Sequence, residues 1–581
     1  MKNSLFDNIN NLTESRIERA HSPDLAELLG DTDTDFKLPW DNIPHLFFSR
    51  CKKFSSKTAI VFYASENNER EILRLTYNDL KVNVCKTIKL LDTLGVPPGS
   101  AIATVDLYNH SDTITILLAA WSRGNLVVPV NMEEDRDRIE FILRSSNVAA
   151  AFVRERHLEK FGEINERAGI KTIVQLGGEK KSHPVFHELI EKTVEGEPDF
   201  GINISSPALL VYTSGTTGNP KGVILSHKML YDVDGVVSFH GFSKNDVFLT
   251  AMRLFHVNAI ITSMMAAIYS GGTLILLGKW MPKYFWKIVS EEKVTTTSVV
   301  PAMLVDLNDN NENADERYPQ MRAHFKTLIC GAGTLKKSVA REFISKYKIR
   351  IAHGWGMSET TCWGCWLPRD IDDEEYSHLM FDFEAPSIGT PLRHCKMGIL
   401  DENGNVLPEN QKGEIVIAGR NIMERYAENP DANNETFKFG VLRTGDEGFY
   451  KLDRRGRPMF FITGRLKDII ERGGEKFSPY LMDEDLSKIE GVANALVYGF
   501  PHKRLGQEVG VVFEMKNEGT IDENTVWKYC RELGYSWSKT PKEIKIVKKI
   551  PKTSTGKDTR KMFAKLFEDC YEKSYKRPDW F

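Results

Sequence analysis

The sequence predicts an α/β protein: a large N-terminal α/β domain built of several subdomains, followed by a small α+β C-terminal domain. Three observations lead there. The chain has 581 residues, more than one hydrophobic core usually serves. From about residue 41 to about residue 390, short apolar runs alternate with helix-like segments, the rhythm of buried strands layered with helices. Beyond that point the runs shorten and are punctuated by turn-forming residues, as in antiparallel strands.

Residues 1–40 are polar, rich in Asp, Asn and Ser, and are expected to form an N-terminal extension loosely attached to the folded body. In the body, strands are expected at TAIVFY (from residue 58), AIATVDL (101), LVVPV (126), AAAFV (149), ALLVYT (208), TLILL (273), TTSVV (296) and TLIC (327). Helices are expected over 79–94 and 135–147. There is no self-similarity of the kind that marks a solenoid. KMGIL (396), EIVIAG (414) and MFFITG (459), set apart by ENGN at 402 and DRRG at 453, read as antiparallel strands. NALVYGF (494), VGVVFEM (509), a helix over 523–534 and EIKIVKKI (543) suffice for a small domain. The boundary is expected near 468, giving domains 41–467 and 468–581. No Gly/Ser-rich or Pro-rich linker lies between them, so relative motion would turn on a few backbone torsions.

A composition of 41% hydrophobic and 27% charged residues is that of a globular protein, and a net charge of −3 supplies no global attraction to nucleic acid or membrane. The apolar stretches 113–121 and 259–269 are too short to span a bilayer, and MKNSLFDNINNLTESRIERAH lacks the basic start and apolar run of a signal peptide. Eight cysteines in so long a chain do not resemble a disulfide framework, so a soluble cytoplasmic protein in a reducing compartment is expected. Cys362 and Cys365 have the spacing of a redox couple or half a zinc site. No second pair completes it, and His353 and His394 lie outside the usual pattern. The other reading of the pair is small, polarisable side chains lining a pocket wall.

The most informative segment is VYTSGTTGNPKGVILSH, from residue 211. An apolar strand runs into glycines and hydroxyls, then a lysine. Glycine lets the backbone approach an anion, Thr213, Ser214, Thr216 and Thr217 offer hydroxyl donors, and Lys221 adds charge. A Walker-type loop is excluded by count: from Gly215, Pro220 and Gly222 stand where the second glycine and the hydroxyl should be. Taken alone, the cluster also reads as a polar turn after a strand.

This segment resembles the signature of the adenylate-forming superfamily, whose acyl-CoA synthetase branch joins acids to thiols. The likeness covers about residues 45–565 and continues in order through GWGMSET (354), RTGD (443), GRLKDIIERGGEKFSP (464) and PKTSTGK (551). It implies ATP, Mg²⁺ and coenzyme A as reactants, a mobile small domain, and a role for each matching residue. Thr213, Ser214, Gly215, Thr216, Thr217, Gly218 and Lys221 would hold the β- and γ-phosphates. Gly331, Ala332 and Gly333 would line the adenine and acyl pocket. Gly354, Trp355, Gly356 and Ser358 would border adenine, with Trp355 stacking where tyrosine is commoner. Glu359 would hold Mg²⁺, and Asp446 and Arg465 the ribose. Asp468 would be the hinge, Gly473 and Gly474 would belong to the pantetheine-channel loop, and Lys557 would be the catalytic lysine reaching the carboxylate and α-phosphate. His256 would lie between the acyl pocket and the thiol channel, where amino-acid-activating relatives carry an aspartate. One departure is PYLMDEDL at 479, which lacks the glutamate usually found two residues after the proline.

The expected activity is acyl-adenylate formation with release of pyrophosphate, then acyl transfer to coenzyme A. Rival readings are a stand-alone adenylation enzyme loading an acyl carrier protein, a luciferase-like oxygenase and, from another class, a catalytically silent nucleotide-binding regulator. Lys539, Lys542, Lys545, Lys548, Lys549 and Lys552 suggest a basic face for coenzyme A phosphates or an acidic carrier, with a merely solvated face as the alternative. The Trp- and Cys-rich TTCWGCW at 360 suggests a bulky lining that shortens the acyl pocket or stacks on an aryl acid.

Overall fold

The computed structural model describes Leu25 and residues 36–64, 72–179, 182–213, 220–310, 317–552 and 560–581. Among these, the strands form sheets of thirteen, seven and five. The large first sheet is parallel through Ile351–Trp355, Thr327–Cys330, Thr296–Val299, Val247–Thr250, Thr273–Leu277 and Thr58–Tyr63. It continues antiparallel through Cys365–Trp366, Ser387–Pro391, Pro458–Arg465, Leu442–Leu452, Gly413–Gly419 and Cys395–Leu400.

Strand Thr58–Tyr63 shows why the apolar runs are continuous. Ile60 and Phe62 join the apolar cluster shared with the second sheet, whereas Val61 and Tyr63 join the cluster on the opposite face. Both faces are covered, so alternation disappears from the sequence. The shared cluster holds Ile102, Val127 and Leu209 of the second sheet and helices Tyr77–Thr93, Ser111–Trp121 and Met229–His240. All eleven residues of Ser111–Trp121 are buried, which accounts for the apolar stretch at 113–121. The stretch at 259–269 forms a π-helix, Ala259–Met265, running into Ala266–Ser270. Among the described residues no helix is long and apolar enough to cross a membrane.

Boundaries shift where side chains cap the backbone. The helix expected from 79 starts at Tyr77, because Thr76 and Asp79 form a reciprocal capping box. In the second sheet, Pro207–Thr213 and Lys221–Ser226 are antiparallel neighbours, with Thr213 opposite Lys221. The glycine- and hydroxyl-rich segment therefore joins two strands of a hairpin, unlike the strand–loop–helix of a Walker site.

The third sheet begins at Ile470, five residues after the first sheet ends at Arg465, and belongs to the smaller C-terminal domain. Ile470–Arg472 and Glu475–Phe477 are joined by Gly473 (φ 58°) and Gly474 (φ 88°), the left-handed pair that a two-residue hairpin turn requires. EIKIVKKI is a strand only over Glu543–Val547, parallel to Gly506–Met515. Residues beyond 560 pack Phe563, Phe567 and Cys570 onto Leu496, Phe500 and Val512.

The described part of the expected N-terminal extension is anchored, a correction to its reading as loosely attached. Leu25 is fully buried among Leu400, Val416, Phe439 and Val441. Phe36 packs on His394, and its carbonyl accepts a hydrogen bond from Arg420. An apolar residue spaced singly in a polar run leaves no periodicity to read.

Candidate active site

At one corner of the first sheet, three motif residues from separate segments meet. Asp446 lies within Leu442–Leu452 rather than in a surface turn, directly opposite Arg465. Its Oδ1 pairs with Arg465 Nε at 2.7 Å, and its Oδ2 accepts the indole N–H of Trp355 at 2.9 Å. The Thr444 hydroxyl accepts the Asp446 backbone N–H at 3.0 Å. Asp446 is 2% exposed. Burial alone would pull the Arg465 guanidinium down, but Asp446, Tyr480 and Glu359 outweigh it and raise its pKa. The corner is a two-oxygen acceptor beside a π-face, suited to a vicinal diol and a flat base.

A second corner carries anion chemistry. Glu359 sits in the turn Ser358–Thr360, 6% exposed, with Oε1 accepting the Tyr426 hydroxyl at 2.7 Å. Burial and then the neighbouring carboxylate raise the Tyr426 phenol, so it stays protonated and donating. Lys221 Nζ lies 4.9 Å from the centre of the same ring. Thr213 closes the group: its carbonyl accepts from Arg138 at 3.0 Å. Ser214, Gly215, Thr216, Thr217, Gly218 and Lys557 lie outside the described residues.

Two backbone outliers frame these corners. Ala332 (φ 61°) and Thr361 (φ 64°) adopt the left-handed region, costly for a β-branched residue and typical of functional turns. The Thr361 hydroxyl donates to Asn421 O at 2.6 Å and holds that turn. Gly356 is needed here because a Cβ would lie 1.8 Å from Cys362 O.

Comparison with known proteins gives this geometry a family. A profile described as AMP-binding enzyme matches residues 47–427, and one described as AMP-binding enzyme C-terminal domain matches residues 482–557. The chain belongs to the AMP-binding enzyme family. It is similar to the sulfoacetate–CoA ligase of Cupriavidus necator, 28% identical over 84% of this chain and 91% of that one. It is also similar to the oxalate–CoA ligase of Arabidopsis thaliana, 24% identical over 91% of this chain and 99% of that one. The fold matches ATP-bound MatB from Rhodopseudomonas palustris with a TM-score of 0.79 at 23% identity, over 91% of this chain and all of that one.

In this AMP-binding enzyme the room at two motif glycines is taken by the protein's own indoles. A Cβ on Gly331 would lie 2.6 Å from the Trp363 ring, and one on Gly354 would lie 1.8 Å from Trp366 Cδ1. Sequence reading placed Gly331, Ala332 and Gly333 beside the ligand. The structure places Gly331 against Trp363. His256 stands at the turn before the π-helix, with its ring edge-on to Phe255 at 4.6 Å. Cys362 and Cys365 are buried, and burial pushes both thiols well above their usual range, so neither is a ready thiolate. Cys362 Sγ lies 3.5 Å from Thr262 Oγ1 on the π-helix, in the lining of the wall.

Within the small domain, Asp468 Oδ2 accepts the Tyr480 hydroxyl at 3.2 Å and lies 3.7 Å from Arg560. Arg560 also pairs with Asp483 and donates to Val497 O at 2.8 Å. The basic face needs correction: Lys542 is fully buried and donates to Trp537 O and Thr540 O. Lys539 and Lys545 face Glu475 and Glu543. Sequence reasoning missed Tyr426, Thr262, Asn421 and Asp232, none of which stands in a recognisable motif.

Proposed function

We propose that this AMP-binding enzyme is an AMP-forming acyl-CoA synthetase that uses ATP, a small carboxylic acid and coenzyme A. A carboxylate oxygen attacks the α-phosphorus, the bond from that phosphorus to the α,β-bridging oxygen breaks, and pyrophosphate leaves with that electron pair. The thiol then loses its proton, its sulfur attacks the acyl carbon, and the C–O bond to AMP breaks. Asp446 and Arg465 hold the ribose, and Trp355 covers adenine while its N–H keeps Asp446 aimed. Lys221, the Thr213 hydroxyl and residues 214–218 cradle the β- and γ-phosphates. Lys557 brings a cation between the two anions that must meet. Asp468 is the hinge about which the small domain, residues 468–581, turns between the half-reactions, with Gly473 and Gly474 bordering the thiol's path. His256 lies between acid and thiol.

Mg²⁺ fits the donor set. Among the described residues no cluster of three metal-ligating side chains exists, so the site offers the lone Glu359 carboxylate, to be completed by phosphate oxygens and water. When bound it offsets charge developing on pyrophosphate. The observation that carries the proposal is the meeting of Trp355, Asp446 and Arg465 beside Glu359, Tyr426 and Lys221, in a chain whose curated relatives are named CoA ligases. Eight free, buried cysteines fit a cytoplasmic setting.

Acid-dependent exchange of labelled pyrophosphate into ATP tests the first half-reaction. Exchange in the wild type, reduced at least about a hundredfold in Lys557→Ala, is the expected result. Thioester formation with coenzyme A alone tests the second. Exchange without thioester would instead favour a carrier protein, and ATP binding without exchange would favour a silent regulator.

A further inference from the structure

Resting on the acid-activating reading above, the geometry points to a short acyl pocket in which Trp363 sets the depth and the accepted acids are small monocarboxylates with an uncharged tail. Trp363 is 1% exposed and fixed at three points. Its indole N–H donates to Thr262 Oγ1 at 2.6 Å, its carbonyl accepts from Asn421 Nδ2 at 2.7 Å, and its backbone N–H donates to Asp232 Oδ2 at 3.3 Å. The ring lies where a Gly331 side chain would be and packs on Trp366, centroids 4.6 Å apart. Trp366 in turn fills the space above Gly354. The gap between the end of Thr327–Cys330, the end of Ile351–Trp355 and the π-helix is therefore occupied by two indoles before any ligand arrives. A long or aryl tail would have to displace a ring tied to the fold at both its ring and its backbone.

The chemistry of the lining sets the charge. Trp363, Trp366 and Cys362 are apolar, the Thr262 hydroxyl already accepts from the indole, and among the described residues no Lys or Arg side chain lies over these rings. This distinguishes the chain from relatives named for oxalate and sulfoacetate, acids with a second anionic group.

The test is pyrophosphate exchange with acetate, propionate, butyrate, octanoate, benzoate and oxalate, for the wild type, Trp363→Ala and the milder Trp363→Phe. Expected for the wild type is kcat/KM greatest among the short monoacids and at least about tenfold lower for octanoate, benzoate and oxalate. Trp363→Ala should raise octanoate or benzoate relative to propionate by at least about tenfold. If that variant does not fold, as judged by circular dichroism, Trp363→Phe carries the comparison, with a shift towards butyrate expected. Wild-type exchange strongest with octanoate, benzoate or oxalate overturns the short pocket and leaves acid activation standing. An unchanged preference in the folded variant does the same. Absence of exchange with every acid overturns both readings.

Discussion

Asp232 and Asn421 pose a donor–acceptor puzzle behind Trp363. Among the described residues, Asp232 Oδ1 and Asn421 Oδ1 are buried acceptors with no donor. Burial drives the Asp232 pKa well above its usual value, and the proton then retained supplies a donor that the ionised form lacks. A carboxyl whose folded pKa is raised contributes stability below the unfolded value near 3.8 and loses it as pH rises through the folded value. Asp232→Asn carries its donor at every pH. It should therefore melt at the same temperature as the wild type or higher near neutral pH, and lack the wild type's loss of stability as pH climbs from about 4. Thermal melts of both proteins across pH check this, and a variant destabilised by more than about 2 kcal/mol at neutral pH would show that Asp232 is held as an anion. At this scale the sequence is legible where chemistry is local. Trp355, Glu359, Asp446 and Arg465 stand in short recognisable strings. Asp232, Thr262 and Tyr426 are invisible because each acquires its meaning from a partner 131, 101 or 67 residues away.

Among elements, the two-residue strand Arg425–Tyr426 has an influence out of proportion to its length. It pairs with Lys221–Ser226, Tyr426 opposite Val223, and so carries one phenol to both Lys221 and the buried Glu359. Two residues show no period, so no pattern could reveal it, whereas the strands at 58, 101, 126, 273 and 327 were legible as unbroken apolar runs. The π-helix was likewise hidden, since an apolar run of that length fits several structures equally well. Tyr426→Phe keeps the ring under Lys221 and removes the donor to Glu359 Oε1. A hydrogen bond to a charged group is worth about 1.5–3 kcal/mol, so exchange should fall roughly tenfold or more. The Mg²⁺ concentration for half-maximal rate should rise, with KM for the acid unchanged. A magnesium titration of the variant decides it: a fall in rate with no change in Mg²⁺ dependence would assign Tyr426 to folding alone.

For the whole molecule, the question is what holds the small domain against the large one. Lys336, three residues beyond Gly333 and at the start of helix Lys337–Tyr347, reaches across to donate to Ser487 Oγ at 2.9 Å and Asn494 Oδ1 at 2.7 Å. The large-domain end of this bridge thus adjoins the pocket wall, and its small-domain end lies at the edge of the third sheet. These two acceptors are neutral and the lysine is half-buried, so these two bonds are worth a few kcal/mol at most and can be broken within a catalytic cycle. Rotation about Asp468 would have to break it, which makes the bridge a bias between the two half-reactions rather than a lock. Lys336→Met keeps the stem and removes the donors. Pyrophosphate exchange should drop about five- to tenfold as the arrangement seen here loses population. Transfer from preformed acyl-adenylate to coenzyme A, followed in a single turnover, should stay equal or become faster. Equal losses in both steps would mean that Lys336 supports the fold of the site rather than the balance of domain positions.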